Sequence, residues 1–224
     1  MEVTWYGHAF FKLETEKEKI YVDPFIEGNE LCPINIDEIK SADYVAVTHG
    51  HEDHYGQAVE ICKETGATLV ANYEITVDAE EKGVSAVEPM NIGGSVGGDT
   101  VKFHMTEAQH SSGTLGHQCG FVIETPELKV YHAGDTGLFS DMELIAEMLE
   151  PQLALLPIGD RFTMGPPSAS RAVKMLNVSQ VIPMHYNTFD PISQDPAEFK
   201  NLVGSDAEVI ILQPGQTHMS RGIE

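Results

Sequence analysis

An α/β fold is predicted for this chain from three observations. Short β-branched or aromatic runs alternate with segments of helical spacing. Several of those runs end in a histidine or an aspartate, the places where α/β sheets gather their sites. Hydrophobic residues make up 42% of the chain, and no apolar run is long enough to span a bilayer, so no membrane partner is expected. With 224 residues, the length predicts one domain, residues 1–224, with a substantial core.

In chain order, residues 3–13 and 20–22 read as two strands joined by a charged turn, with His8 inside the first. Asp23-Pro24 stops the second and leaves a carboxylate at its end. Tyr44-Val45-Ala46-Val47 reads as a buried strand. Helical spacing over 55–65 stops at Gly66, 68–70 is a short strand, and 75–82 is a helix closed by Gly83. Gly93-Gly94 and Gly97-Gly98 read as turns and match neither a dinucleotide nor a P-loop pattern.

A strand at 101–105 leads to a loop carrying His110. Strands at 120–124 and 129–132 form a hairpin about Thr125-Pro126-Glu127, and the second runs into Ala133-Gly134-Asp135. Ser140-Asp141-Met142-Glu143 has the capping-box form and is expected to open a helix to Leu149. A strand at 153–157, a helix at 168–176, a strand at 181–184 ending in His185, a helix at 196–203 and a strand at 208–212 complete the chain.

The chemistry concentrates in Thr48-His49-Gly50-His51-Glu52-Asp53-His54. Three imidazoles and a carboxylate crowd one turn directly after an apolar strand. Imidazole nitrogen and carboxylate oxygen suit Zn²⁺, Mn²⁺ or Fe²⁺, and such crowding makes sense when cations occupy the space. A lone histidine would read as a solvated turn or a core residue; His104, His117, His132 and His218 are read that way, with His132 and His117 also candidates for supporting the donors from behind. Adding His110, Asp135 and His185 to the turn gives His49, His51, Asp53, His54, His110, Asp135 and His185, too many for one tetrahedral ion with an open position. Two ions sharing a carboxylate and a water fit better, most readily zinc, with manganese and iron as alternatives.

Charge bears on partners. Thirteen Lys+Arg against 35 Asp+Glu give a formal net charge of −22, which repels polyanions and concentrates cations. Nucleic acid is therefore disfavoured as a partner, although bound divalent ions can invert the field in a cleft. Cys32, Cys62 and Cys119 are odd in number and form no Cys-x-x-Cys pair, and the first residues lack a basic then apolar leader pattern. A cytoplasmic location with reduced thiols is expected.

Taken together, the His49–His54 turn, His110, His132-Ala133-Gly134-Asp135-Thr136-Gly137 and His185, in that order, resemble the metallo-β-lactamase superfamily. Trp5-Tyr6-Gly7-His8 and Val22-Asp23-Pro24 look like the branch that holds the ascorbate-6-phosphate lactonase and a set of small metal-dependent hydrolases. Arg161 in its Gly-Asp-Arg setting and the Met184-His185-Tyr186 context fit the latter set. The resemblance implies an αβ/βα sandwich, two facing sheets with helices outside. It implies His49, His51 and His110 as ligands of a first metal, Asp53, His54 and His185 as ligands of a second, and Asp135 between them. Small enzymes of this branch often associate, so a homo-oligomer is expected.

The implied activity is hydrolysis of a small ester, lactone or thioester, anionic substrates included, by a hydroxide held between two metals. Asp53 would orient the water and move its proton. His8 would line the pocket and steady an oxyanion or leaving group, and Arg161 would grip an anionic group of the substrate. Asp23 is the candidate partner for a ligand imidazole. A phosphodiesterase or nuclease using the same site, or a metal-binding protein of low turnover, are the alternatives.

Overall fold

A computed structural model describes residues 1–220 and 222. Its elements run β1 (Glu2–Trp5), β2 (Phe11–Glu14), β3 (Lys19–Val22), β4 (Tyr44–Ala46), α1 (Glu52–Tyr55), α2 (Ala58–Thr65), β5 (Thr68–Asn72), α3 (Tyr73–Glu81), β6 (Val87–Met90), β7 (Ser95–Gly97), β8 (Lys102–Thr106) and β9 (Gly120–Glu124). Then follow β10 (Lys129–His132), α4 (Met142–Leu149), β11 (Leu153–Pro157), α5 (Pro166–Leu176), β12 (Gln180–Met184), α6 (Pro196–Val203), β13 (Glu208–Val209) and β14 (Thr217–Met219).

The strands form two seven-stranded sheets, ordered β14-β1-β2-β3-β4-β5-β6 and β13-β12-β11-β10-β9-β8-β7. From β3 to β6 and from β10 to β13 the pairing is parallel; the remaining pairs are antiparallel. Parallel strands deliver their C-terminal ends to one edge, which is how this fold collects side chains from distant sequence.

Alternation along the strands explains the layering. In the first sheet Phe11, Leu13, Ile20, Val22, Ala46 and Val70 face the second sheet, while Tyr21, Val45, Leu69 and Ala71 turn outward. The outward set packs on Ala58, Ile61 and Cys62 of α2 and on Ile75 and Ala79 of α3. Helix α5 buries Ala169, Ala172, Val173 and Leu176, the spacing of one helical face, beside α4 and α6. Fully buried side chains such as Phe11, Leu13 and Ile20 each contribute about 1.5–3 kcal/mol, so the inter-sheet layer supplies the bulk of the stability. The architecture is the predicted αβ/βα sandwich. Among the described residues no helix is long and apolar enough to cross a membrane.

Several expectations are corrected. Residues 3–13 are two strands, not one: β1 and β2 are antiparallel partners joined through Gly7 and His8, both at positive φ (94° and 53°). Residues 55–65 are not one helix either, because Gly56 (φ 41°) separates α1 from α2. The capping box at Ser140 does not form; Asp141 takes the N-cap position without a side-chain cap, and the Ser140 hydroxyl donates to Asp141 instead. Helix α5 begins at Pro166, whose fixed φ suits the first turn, two residues before the expected start. Strands β6, β7 and β14 were not expected. β6 and β14 contain exposed residues and depend on pairing with β5 and β1, distant in sequence, while β7 has no buried residue and pairs with β8 in a short hairpin.

Candidate metal centre

The donors sit where strands of both sheets end. His49 follows β4, and the turn after it leads through His51 into α1, whose first residues carry Asp53 and His54. His110 lies on the segment between β8 and β9, Asp135 follows β10, and His185 follows β12 with φ 54°. Gly134 admits the close passage that places Asp135: a Cβ there would lie 2.6 Å from the Cys119 carbonyl. The Gly50 amide donates to Ser112 Oγ, tying the His110 segment to the histidine turn.

All seven sequence-predicted donors converge. His49, His51 and His110 form one group with donor atoms within 4.8 Å of one another; Asp53, His54 and His185 form a second, which also takes in His8. Asp135 reaches both: its Oδ2 is 3.5 Å from His110 Nε2 and 3.0 Å from His185 Nε2, and its Oδ1 is 3.3 Å from His54 Nε2. His49 Nε2 and His51 Nδ1 approach to 2.9 Å.

This donor set fits divalent ions. His54 Nε2 and Asp135 Oδ1 are buried, face one another and make no hydrogen bond, an expensive arrangement unless a cation satisfies both. Burial, with help from His54, pushes His49 well down, and burial also lowers His110, so neutral imidazoles with a free lone pair are favoured at both. Burial alone would raise Asp135, but His185 and His54 outweigh it and hold the carboxyl well below the usual range. Burial would lower His54, yet Asp135 and Asp23 draw it well above its ordinary value.

The surrounding residues orient the donors. Asp23, fully buried at φ 49°, accepts from the Thr48 amide (2.8 Å), the Thr48 hydroxyl (2.7 Å) and His54 Nδ1 (2.7 Å). Asp23 therefore holds a proton on His54 Nδ1, and Nε2, facing Asp135, is the atom that would ligate an ion bound there. His132 Nε2 donates to the Ala9 carbonyl (2.9 Å) and its Nδ1 accepts from the Gly134 amide (3.2 Å), linking the β1–β2 turn to the Asp135 loop. Neither Thr48 nor Thr188, which contacts His8, was singled out from sequence.

His8 is fully buried, 3.2 Å from Asp53 through its Nε2. Arg161 is exposed on the loop after β11, its guanidinium 5.8 Å from the Phe162 ring centroid, and it makes no ion pair among the described residues. Gly159 at the base of that loop abuts the His185 backbone and ring. A cavity of about 780 Å³ opens beside Asp53, walled by Phe25, Tyr55, Gln57 and Phe189. That volume suits a small molecule.

Comparison with known proteins gives a consistent picture. A family model described as "Beta-lactamase superfamily domain" matches residues 18–186. A UPF0173 metal-dependent hydrolase from Methanopyrus kandleri is 50% identical, over 97% of this chain and 99% of its own. One from Pyrobaculum islandicum is 49% identical over the same shares. Among solved structures, Igni18, a novel metallo hydrolase from the archaeon Ignicoccus hospitalis, aligns at a TM-score of 0.91 with 41% identity, covering 97% of each chain. An isothiocyanate hydrolase from Delia radicum gut bacteria, 19% identical with a TM-score of 0.80 over 99% of each chain, is similar in fold alone.

Proposed function

Because the chain belongs to the β-lactamase superfamily and is a metal-dependent hydrolase, we propose that it holds two divalent ions and cleaves a small ester, lactone or thioester. One observation carries the reading: six of the seven donors fall in two groups of three, and Asp135 lies within 3.5 Å of members of both. His49, His51 and His110 would hold one ion, Asp53, His54 and His185 the other, with Asp135 between. When bound, such a pair of ions supplies a water acidified to near neutral pH and an electrophile for the substrate oxygen. Zinc is favoured by the histidine-rich donors, with manganese and iron as alternatives.

The chain's own residues do the rest. Asp23 keeps the His54 proton on Nδ1, so Nε2 is free to ligate. Asp53, whose side chain is 31% exposed and lines the cavity, is the group placed to orient a water and accept its proton. Burial would raise its carboxyl, but the hydrogen bond from His8 and the nearby His54 hold it far below the usual range, so it is ionised. Phe25 and Phe189 give the cavity an apolar wall, which favours a compact acyl compound over a polyanion, as does the net charge of −22.

The test is hydrolysis of lactones, thioesters, phosphodiesters and single-stranded RNA by metal-reconstituted protein, with Asp135→Ala beside it. Turnover of the acyl compounds that disappears in the variant supports the reading. Turnover of phosphodiesters or RNA alone, or none with both ions bound, overturns it.

A further inference from the structure

Phe189 is 41% exposed, yet its loop is tied down on every side. A single exposed aromatic ring on a protein surface is ordinary. This one stands at the cavity of about 780 Å³ that opens beside Asp53. Its carbonyl accepts from the Ile192 amide (3.0 Å), the Asn187 amide donates to the Ile192 carbonyl (3.0 Å), and Asn187 Oδ1 accepts from the Gln194 amide (2.8 Å). The neighbouring Thr188 hydroxyl is hydrogen-bonded to the His8 ring at 2.9 Å. The ring is thus presented to the cavity by a fixed backbone.

Inside the cavity Phe189 meets Phe25, the ring centroids 6.4 Å apart and the planes inclined at 42°. Both rings meet the buried His8 ring edge to face at 5.6 Å. Phe25 is itself anchored: its amide donates to the Asp23 carbonyl (2.8 Å), and its carbonyl accepts from Asn29 Nδ2 (3.1 Å). Two inclined rings make a preformed apolar corner. An aromatic group can stack on one of them and meet the other edge on, and a wall that does not reorganise adds little to the cost of binding.

Charge narrows the choice of occupant. Besides Asp53, the charged residues lining the cavity are Glu27, Glu52 and Lys82. Lys82 is already engaged, with its Nζ 2.7 Å from Asp78 and 4.9 Å from the Tyr55 ring centroid. Among the described residues no unpaired cation lines this cavity to receive a carboxylate or phosphate, so a neutral group fits it best.

We infer that Phe189, backed by Phe25, is a specificity-determining residue that receives a neutral aryl group of the substrate and so brings the adjoining carbonyl beside Asp53. The inference rests on the proposed acyl hydrolysis and narrows its substrates to neutral compounds that carry an aromatic ring.

Benzyl acetate and methyl phenylacetate carry that ring on opposite sides of the ester, and ethyl acetate and methyl propionate lack it. Zinc-loaded wild type should favour the aryl pair in kcat/KM by at least about tenfold. Phe189→Ala should cut that preference about tenfold, chiefly through KM, and Phe189→Tyr should keep it. A merely structural role would slow all four esters alike and leave the preference in place. If Phe189→Ala does not fold, judged by circular dichroism, Phe189→Leu, which keeps bulk without the ring, takes its place. Binding is read separately with phenylacetone and 2-butanone, ketones with no ester to cleave, by NMR of the ¹³C-phenylalanine-labelled protein. Phenylacetone should shift the Phe25 and Phe189 signals, the latter identified by its loss in the variant, and 2-butanone should not. A wild type without aryl preference, a variant that keeps it, or phenylacetone that moves neither signal overturns the inference. A wild type inert on all four esters would defeat the proposed function, and the ketones would then decide this inference alone.

Discussion

Replacing Asp23 by asparagine tests how the fold prepares an imidazole for a metal. The site is fully buried, and its carboxylate accepts three hydrogen bonds, with Oδ1 taking the Thr48 amide and Oδ2 taking both the Thr48 hydroxyl and His54 Nδ1. Asparagine has nearly the same shape and tolerates the φ of 49°, so the backbone should hold. Its Oδ1 can keep the Thr48 amide, but an NH₂ group replaces the doubly used acceptor. The Thr48 hydroxyl can turn to accept; the His54 proton cannot stay where it is. Either His54 Nδ1–H is left facing a donor, or the proton moves to Nε2, 3.3 Å from Asp135 Oδ1. A hydrogen bond to a charged group contributes about 1.5–3 kcal/mol, so losing one and weakening another costs about 3 kcal/mol. For a domain of this size that lowers Tm by about 6–12 °C. With the proton on Nε2, affinity for the ion near His54 should fall about 10–100-fold. Calorimetry of metal-free protein and zinc competition against a chelator measure the two effects. A variant that melts within about 1 °C of wild type and binds zinc equally well would refute the argument.

Three further outcomes follow from the same geometry. Chelation should lower Tm by about 5–10 °C for each ion present at a hundredfold over its Kd, a contribution of about 2.7 kcal/mol per ion, and calorimetry with and without chelator checks it. Gly56→Ala should destabilise by about 2–4 kcal/mol in urea titration, because a Cβ would lie 2.3 Å from the Pro24 carbonyl oxygen at φ 41°; Gly66→Ala, with nothing within 4 Å, should cost only about 1 kcal/mol. Arg161→Ala should change stability by no more than about 0.5 kcal/mol, the guanidinium being exposed and without an ion pair among the described residues. If Arg161 grips an anionic group, KM for a carboxylate-bearing ester should rise about tenfold in that variant, with KM for its neutral counterpart unchanged; an equal effect on both removes that role.

What could be read from sequence was local. The turn from His49 to His54 packs its donors within one loop, so residue chemistry and spacing identify it before any tertiary contact exists. The β9–β10 hairpin and β11 fall on their expected residues because turn residues and continuous apolar runs mark them. Residues 3–13 misled because an aromatic-rich run conceals the left-handed turn at Gly7 and His8, and Gly7 was the one local sign of it. Strands β6 and β7 carry Pro89 and Gly97 and bury little, so only their place at sheet edges makes them strands. The Thr188 contact lies 180 residues from His8 in sequence, and no local pattern announces a pairing of that span.

The donors straddle the seam between the two sheets: the histidine turn belongs to the first, and Asp135 and His185 to the second. Each sheet can pair its strands without the other's donors, but neither can complete a metal site. An ion bound there would act as a latch, closing long loops of chain and penalising any state in which the sheets have parted. Release of the ion should therefore loosen the molecule first along that edge, as a gap between layers, before either sheet melts. On refolding such a latch would close only after the most sequence-distant strand ends have met, so metal capture is expected to be a late event in assembly.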